Sequence, residues 1–214
     1  MAKIGILGTG RMGVRLAKVF AAVGHTVVLG SRDAARAREA VAAIGRANVV
    51  AGTYDAAVDA PVVLPAMFLR DGLVETLGVY AGDLRGKLYV DITNPYNADY
   101  SDFILPWGTS GGEHVQQAFP GARVVGAFKN VWWEVLDAPL FDGVKSDVFV
   151  VSDDDRAKRE FLELVEGLPF RFLDAGRLAN ARTVERMTLL SGELGRRYDY
   201  YPRMGYKFLG AAAR

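Results

Sequence analysis

The sequence contains no cysteine, which excludes disulfides, thiol catalysis, iron–sulfur clusters and thiolate zinc sites together. Histidine is nearly as scarce: His25 and His114 are the only two, too few for a histidine-rich metal site. Neither sign of charge is in excess. Lys and Arg number 26 against 25 Asp and Glu, a formal net charge of +1. That lacks the basic surplus needed for non-specific nucleic-acid binding. No apolar run approaches the ~20 residues that cross a bilayer. Glycine and arginine interrupt the apolar start of the chain before it resembles a secretory leader. The expectation is a cytoplasmic protein with no nucleic-acid and no membrane partner.

What is present suits a globular fold. Half of the 214 residues are hydrophobic and 24% are charged. A chain of this length buries about 70% of its unfolded surface, enough to offset the entropy of ordering, so disorder is excluded as its main state. At roughly 150 residues per domain, it makes one generous domain or one domain with an appendage.

Short apolar runs alternate with helical periodicity along the chain. Strands are expected at Lys3–Leu7, His25–Gly30, near Val49-Val50, and at Pro61–Ala66, Leu88–Thr93, Arg123–Phe128, Asp147–Val151 and Phe170–Leu173. Helices are expected at Met12–Ala22, Asp33–Ile44, Asp71–Tyr80, Glu113–Phe119, Asp155–Glu166 and Ala179–Tyr198. Such alternation predicts an α/β protein with a mostly parallel sheet and helices on both faces.

Between the first strand and the first helix stand Gly8-Thr9-Gly10-Arg11-Met12-Gly13. Gly-x-Gly-x-x-Gly is weak alone, but a strand entering and a helix leaving are what dinucleotide binding requires. Gly8 permits the tight turn, Gly10 lets backbone approach a pyrophosphate, and Gly13 lets helix pack on strand. The helix N-terminus then presents free N–H groups to the phosphates. These features predict a Rossmann-type, doubly wound sheet with a small helical C-terminal portion. The expected division is a binding domain at residues 1–151 and a small subdomain at residues 152–214.

An NAD binder usually carries Asp or Glu at the end of the second strand, to hold the ribose 2′-hydroxyl. This chain has Gly30-Ser31-Arg32, with Arg36 one helical turn further on. Ser31 can donate a hydrogen bond, and the Arg32 guanidinium suits a 2′-phosphate. Asp33, the nearest acid, is a candidate helix N-cap. The expected cofactor is therefore NADP(H). Ala66 and Met67, at the end of a later strand, and Asn94, after Leu88–Thr93, complete the cofactor-binding candidates.

At this point the sequence resembles the coenzyme F420-dependent NADP oxidoreductases. The resemblance rests on Gly8 to Gly13, Gly30-Ser-Arg32, Pro120-Gly-Ala-Arg-Val-Val-Gly-Ala-Phe128, Leu173-Asp-Ala-Gly-Arg-Leu-Ala-Asn-Ala-Arg182 and Gly205-Tyr-Lys-Phe-Leu209. These motifs spread over nearly the whole chain, and the Asp-Ala-Gly-x-Leu segment is the most specific. The resemblance implies hydride passage between nicotinamide and a stacked deazaflavin, with the protein supplying orientation and no catalytic side chain required. The sequence departs from the family after Phe128. There it reads Lys129-Asn130-Val131-Trp132-Trp133, and Asp91-Ile-Thr-Asn-Pro95 precedes an unusual loop.

Pro95, Lys129 and Asn130 fall at strand C-termini, where ligands lie in open α/β sheets, and are the substrate-side candidates. A turn and an exposed lysine are the alternative reading. Trp132 and Trp133 suit either a stacked ring or an interface. His114 is expected on the surface, and Asp153-Asp154-Asp155 at the start of a helix as its cap. The aromatic tail Tyr198 to Phe208 suggests a covering partner, and a homodimer is expected. The expected function is hydride exchange between NADPH and F420 or an F420-like flavin. A reductase of a small carbonyl or imine, which would need an acid near the nicotinamide, and a non-catalytic NADP(H) sensor remain the alternatives.

Overall fold

The computed structural model describes residues 1–210. In chain order its elements are β1 (Lys3–Leu7), α1 (Arg11–Ala22), β2 (Thr26–Gly30), α2 (Ala34–Ile44), β3 (Val49–Gly52), α3 (Tyr54–Val58), β4 (Val62–Pro65) and α4 (Leu73–Gly78). Then come β5 (Leu88–Asp91), α5 (Gly111–Ala118), β6 (Arg123–Gly126), α6 (Trp133–Asp137), β7 (Leu140–Phe141) and β8 (Val144–Lys145). The chain finishes with β9 (Asp147–Val150), α7 (Asp155–Leu164), β10 (Arg171–Asp174) and α8 (Ala181–Arg197). Six strands form one sheet in the order β3-β2-β1-β4-β5-β6, every neighbouring pair parallel. This is the doubly wound order of dinucleotide-binding folds, with its switch point between β1 and β4.

Alternation along the strands explains why both faces need helices. Val27, Leu29, Leu64, Val90 and Val125 face one core with Leu16 and Phe20 of α1. Their chain neighbours Val28, Val63, Tyr89 and Val124 face the other, with Tyr54, Leu77 and Val115. A strand buried on both sides reads as a continuous apolar run, and β1 and β4 do so. Phe128 anchors the first core. Its ring meets Phe20, Phe161, Phe170 and Phe172 edge-on, at centroid distances of 6.1, 6.2, 6.2 and 5.7 Å. Residues before and after Val151 therefore share one aromatic cluster.

Two expected strands pair differently from the main ladder. β9 and β10 form their own parallel pair, and Val151 meets Gly126 in a single antiparallel bridge. The chain reaches β9 through the β7–β8 hairpin and passes Gly126 in the opposite sense, so it cannot extend the parallel ladder. The helix expected over Asp71–Tyr80 is divided by Gly72, whose φ of +80° separates a 3₁₀ turn, Leu69–Asp71, from α4. α3 and α6, of five residues each, were too short to show a period in the sequence. Ser110 starts α5 two residues before the expected helix, accepting from the Glu113 N–H at 3.1 Å and donating to its carboxylate at 2.7 Å. The first contact is the side-chain N-cap bond of the helix, and the second joins the cap to the Glu113 side chain.

Candidate active site

β1 ends where the chain must turn sharply into α1. Gly8 adopts φ +118°, and a Cβ there would stand 2.8 Å from the Ala66 carbonyl oxygen. At Gly13 a Cβ would lie 2.0 Å from the Gly8 carbonyl oxygen, so only glycine lets α1 close on the turn. Above Gly10 there is open space within 4 Å. Gly10 is the N-cap of α1 and offers no side-chain cap, and no acidic residue occupies the first turn. The first N–H groups of α1 thus lack a capping partner, and the positive end of its dipole is not neutralised.

At the end of β2, Ser31 is buried and its hydroxyl accepts from the Asp33 N–H at 3.1 Å. Asp33 is the N-cap of α2, accepting from Ala35 and Arg36 N–H at 2.8 and 3.3 Å. Asp33 is held by that work, which leaves Arg32 and Arg36 exposed as the charges at this strand end. Neither forms an ion pair among the described residues.

The C-terminal ends of the central strands open into a cavity of about 230 Å³. Gly10, Arg11 and Met12 line it from α1, Ala66–Phe68 follow β4, and Ile92–Asn94 follow β5. Phe128 and Val131–Trp133 follow β6, while Thr188, Gly192 and Arg196 of α8, with Tyr201, close the far side. Trp132, Trp133 and Tyr201 meet one another in tilted and edge-on contacts at 5.2 to 5.6 Å, and the Arg11 guanidinium lies 4.1 Å from the Trp133 ring centre. Trp132 Nε1 donates to Ser191 of α8 at 3.0 Å. Both tryptophans line the cavity, Trp132 in a position fixed by the last helix.

Two polar atoms at this wall are buried without partners among the described residues: Asn94 Oδ1 and Thr93 Oγ1. Asn94 is oriented from behind, its Nδ2 donating to the Lys129 carbonyl at 2.7 Å. A buried acceptor without a donor costs about 1–3 kcal/mol, so a ligand N–H or O–H supplied here binds with that advantage. Tyr96 lines the same space, and burial pushes its phenol up to about 12, so it remains a protonated donor.

Of the sequence candidates, Gly10, Arg11, Met12, Ala66, Met67 and Asn94 meet around this cavity. Gly8, Thr9, Gly13, Ser31, Arg32 and Arg36 form the adjoining turn and strand end. Pro95, Lys129 and Asn130 do not reach the cavity. Pro95 is buried, and its carbonyl accepts from Ile104 N–H at 2.8 Å. Asn130 is buried against β9, donating to Asp147 O at 2.8 Å and accepting from Phe149 N–H at 3.2 Å. Lys129 is fully buried and directs its ammonium at Asp91, Glu185 and the Thr93 carbonyl.

Outside the cavity, His25 accepts from Ala2 N–H and donates through Nε2 to the Leu164 carbonyl, which makes it a strand-edge tie. Asp154 caps α7 by accepting from Ala157 N–H at 2.8 Å, and Asp153 accepts from Leu178 N–H at 3.2 Å. Sequence reasoning missed Phe68, Tyr96, Tyr100, Thr188, Gly192, Arg196 and Tyr201. One signal was available: glycine inside a helix costs about 1 kcal/mol relative to alanine. At Gly192 the reason is space, because a Cβ would stand 3.3 Å from the Trp132 ring.

Comparison with known proteins agrees with this geometry. The family described as NADP oxidoreductase, coenzyme F420-dependent, matches residues 3–95. Over 203 residues the chain is 32% identical to the F420-dependent NADP reductase of Methanothermobacter thermautotrophicus, covering 88% of this chain and 87% of that protein. It is 31% identical over 187 residues to the metalloreductase STEAP3 of Rattus norvegicus, covering 87% of this chain and 36% of that protein. The solved structure of a candidate F420-dependent NADP reductase from Arthrobacter sp. FB24 shares 25% identity and superposes with a TM-score of 0.83, covering 93% of this chain and 96% of that one. Glycine turn, basic strand end and cavity thus belong to a chain related over most of its length to such reductases, and it is a member of the coenzyme F420-dependent NADP oxidoreductase family.

Proposed function

We infer that this protein exchanges a hydride between NADP(H) and coenzyme F420, or an F420-like flavin. The residues present fit the dinucleotide. The open space over Gly10 and the uncapped start of α1 suit its pyrophosphate. Ser31, Arg32 and Arg36 suit its 2′-phosphate, and Asn94 Oδ1 supplies an acceptor without a partner where the nicotinamide end would lie. When bound, nicotinamide and deazaflavin supply the hydride chemistry between two ring carbons. The chain's part is to hold two flat rings face to face and keep water out, and Trp132, Trp133, Tyr201 and Met67 give the cavity its apolar walls.

One observation carries the choice of acceptor: among the described residues, no carboxylate, histidine or lysine lines the cavity. A carbonyl or imine reductase needs a proton donor matched to neutral pH. The Tyr96 hydroxyl, one of those lining the cavity, holds its proton to about 12. Direct exchange between rings asks for orientation alone. The imine reductases that superpose on this chain, such as that of Bacillus cereus at 18% identity, share the fold.

The test is absorbance of the purified protein mixed rapidly with NADPH and oxidised F420, with FMN and riboflavin as comparison acceptors. Bleaching of the F420 band with NADPH and not with NADH is expected. Tight NADPH binding without deazaflavin turnover would overturn the reading in favour of a carbonyl or imine substrate, and binding without turnover of any acceptor would indicate a sensor. The same reading places the protein in the cytoplasm, acting on diffusible cofactors. Leu190 and Leu194 of α8 and Tyr198 at its C-cap leave an exposed apolar stripe, and a homodimer would cover it. A monomeric mass at micromolar concentration would refute the dimer.

A further inference from the structure

Three buried ionisable side chains stand behind the cavity, and the reaction outlined above does not use them. Lys129, Asp91 and Glu185 are all at most 1% exposed. The Lys129 ammonium lies 2.6 Å from Asp91 Oδ2 and 2.8 Å from Glu185 Oε1, and donates to the Thr93 carbonyl at 2.6 Å. Two of these contacts, to Glu185 Oε1 and the Thr93 carbonyl, are hydrogen bonds, and the third, to Asp91 Oδ2, is an ion pair. Glu185 also accepts from the Gly111 and Gly112 N–H groups at 2.9 and 3.1 Å, and Asp91 accepts from Thr93 N–H at 2.9 Å.

Every hydrogen bond to the two carboxylates is an accepted one. Both Glu185 oxygens are taken by N–H donors, and the Lys129 ammonium lies against Asp91 Oδ2, so the geometry favours the charged form of both. Burial pushes the Glu185 carboxyl up, with Lys129 opposing. Burial would lower the Lys129 ammonium, but Asp91 and Glu185 more than reverse this and hold it above its ordinary value. One positive and two negative charges leave the cluster with a net charge of −1. The N-terminus of α5 offsets this only in part.

The cluster's position gives that charge a consequence. Thr93 is bonded to it through both its N–H and its carbonyl, and Thr93 and Asn94 face the cavity on their other side. With the phosphates at α1 and the 2′-phosphate at β2, the nicotinamide end of the dinucleotide falls on the β4–β5 side, against Thr93 and Asn94. The oxidised ring is a cation and the reduced ring is neutral, while the rest of the dinucleotide is unchanged.

We propose that the buried Asp91–Lys129–Glu185 cluster favours the oxidised over the reduced nicotinamide, and so biases the protein toward giving up hydride from NADPH. The three are positioning residues, acting on the ring through Thr93 and through their field. The proposal rests on the NADP(H) reading above. A unit charge one residue behind the wall of a partly desolvated site shifts relative affinity on the order of tenfold.

The experiment measures the dissociation constants of NADP+ and NADPH separately, by equilibrium titration of the full chain at mildly alkaline pH. Wild type is compared with Glu185→Gln, which is nearly isosteric and removes one negative charge. The ratio Kd(NADP+)/Kd(NADPH) is expected to rise on the order of tenfold. Thermal melting checks that the variant folds. If it does not, Asp91→Asn removes the same charge from β5 and carries the same expectation. A merely structural cluster would weaken both forms alike, and an unchanged ratio in a folded variant overturns the proposal. Wild type binding neither nucleotide would instead overturn the NADP(H) reading on which the proposal stands.

Discussion

Replacing Arg32 with alanine isolates the cofactor's 2′-phosphate from everything else it touches. The Arg32 side chain is exposed and forms no ion pair among the described residues. Asp33 caps α2 through its own carboxylate, independently of Arg32. Stability should therefore stay within the ~0.5 kcal/mol typical of surface substitutions. The lost contact is a charge-assisted hydrogen bond, about 1.5–3 kcal/mol. At about 1.4 kcal/mol per tenfold, NADPH affinity falls on the order of ten- to a hundredfold. Because the site is solvent-exposed, the effect belongs at the lower end at physiological salt, where the Debye length is about 8 Å. NADH, which has no 2′-phosphate, should bind as before. The assay is tryptophan-fluorescence titration with each nucleotide, at low and at physiological salt. Equal weakening of NADPH and NADH, or no weakening of either, would refute the assignment of Arg32 to the 2′-phosphate. Adding Arg36→Ala should deepen the loss for NADPH alone.

Two glycines of the first turn should separate binding from folding. At Gly10 a Cβ meets nothing within 4 Å, so Gly10→Ala should melt like wild type while filling space a phosphate needs; unchanged NADPH affinity would count against a pyrophosphate there. At Gly13 a Cβ would stand 2.0 Å from the Gly8 carbonyl, so Gly13→Ala should lower the melting temperature by several degrees, and a wild-type melt would contradict the packing. Phe128→Ala empties the centre of the aromatic cluster and should cost about 3–5 kcal/mol in urea denaturation; a loss below about 1 kcal/mol would show that the cluster collapses to fill the gap. Acid should destabilise the fold through three depressed carboxylates. The Ala157 N–H holds Asp154 low, Arg123 holds Glu160 low, and Arg182 holds Glu113 low. Since their folded values lie below the unfolded ones of about 3.9 and 4.3, their contribution is complete above that range and is lost as pH falls through the folded values. Melting temperatures measured from neutral pH down to about 3 should decline in that window, and a flat profile would contradict these pairings.

The glycine turn and the basic end of β2 were legible because they are local. Turn chemistry, strand and helix periodicity and the run Gly30-Ser-Arg32 each lie within a few residues, and the doubly wound order follows from parallel alternation. Lys129 shows where such reasoning stops. Its place after β6 marks a ligand-facing position, and nothing nearby says otherwise. Its direction is decided by Glu185, 56 residues away, which is itself held by the first N–H groups of α5. Asn130 is likewise taken by β9, and Trp132 is held at the cavity by the hydrogen bond it donates to Ser191 of α8 and by the room at Gly192. The loop after β5 offers no period from which Tyr96 and Tyr100 could be placed. The sequence by itself determined the sheet, the dinucleotide turn and the preference for a 2′-phosphate, because those depend on neighbouring residues and backbone geometry. The tertiary structure alone decided which strand-end side chains face the cavity and which are buried as charge, because that depends on partners brought together only when α8 packs across the end of the sheet.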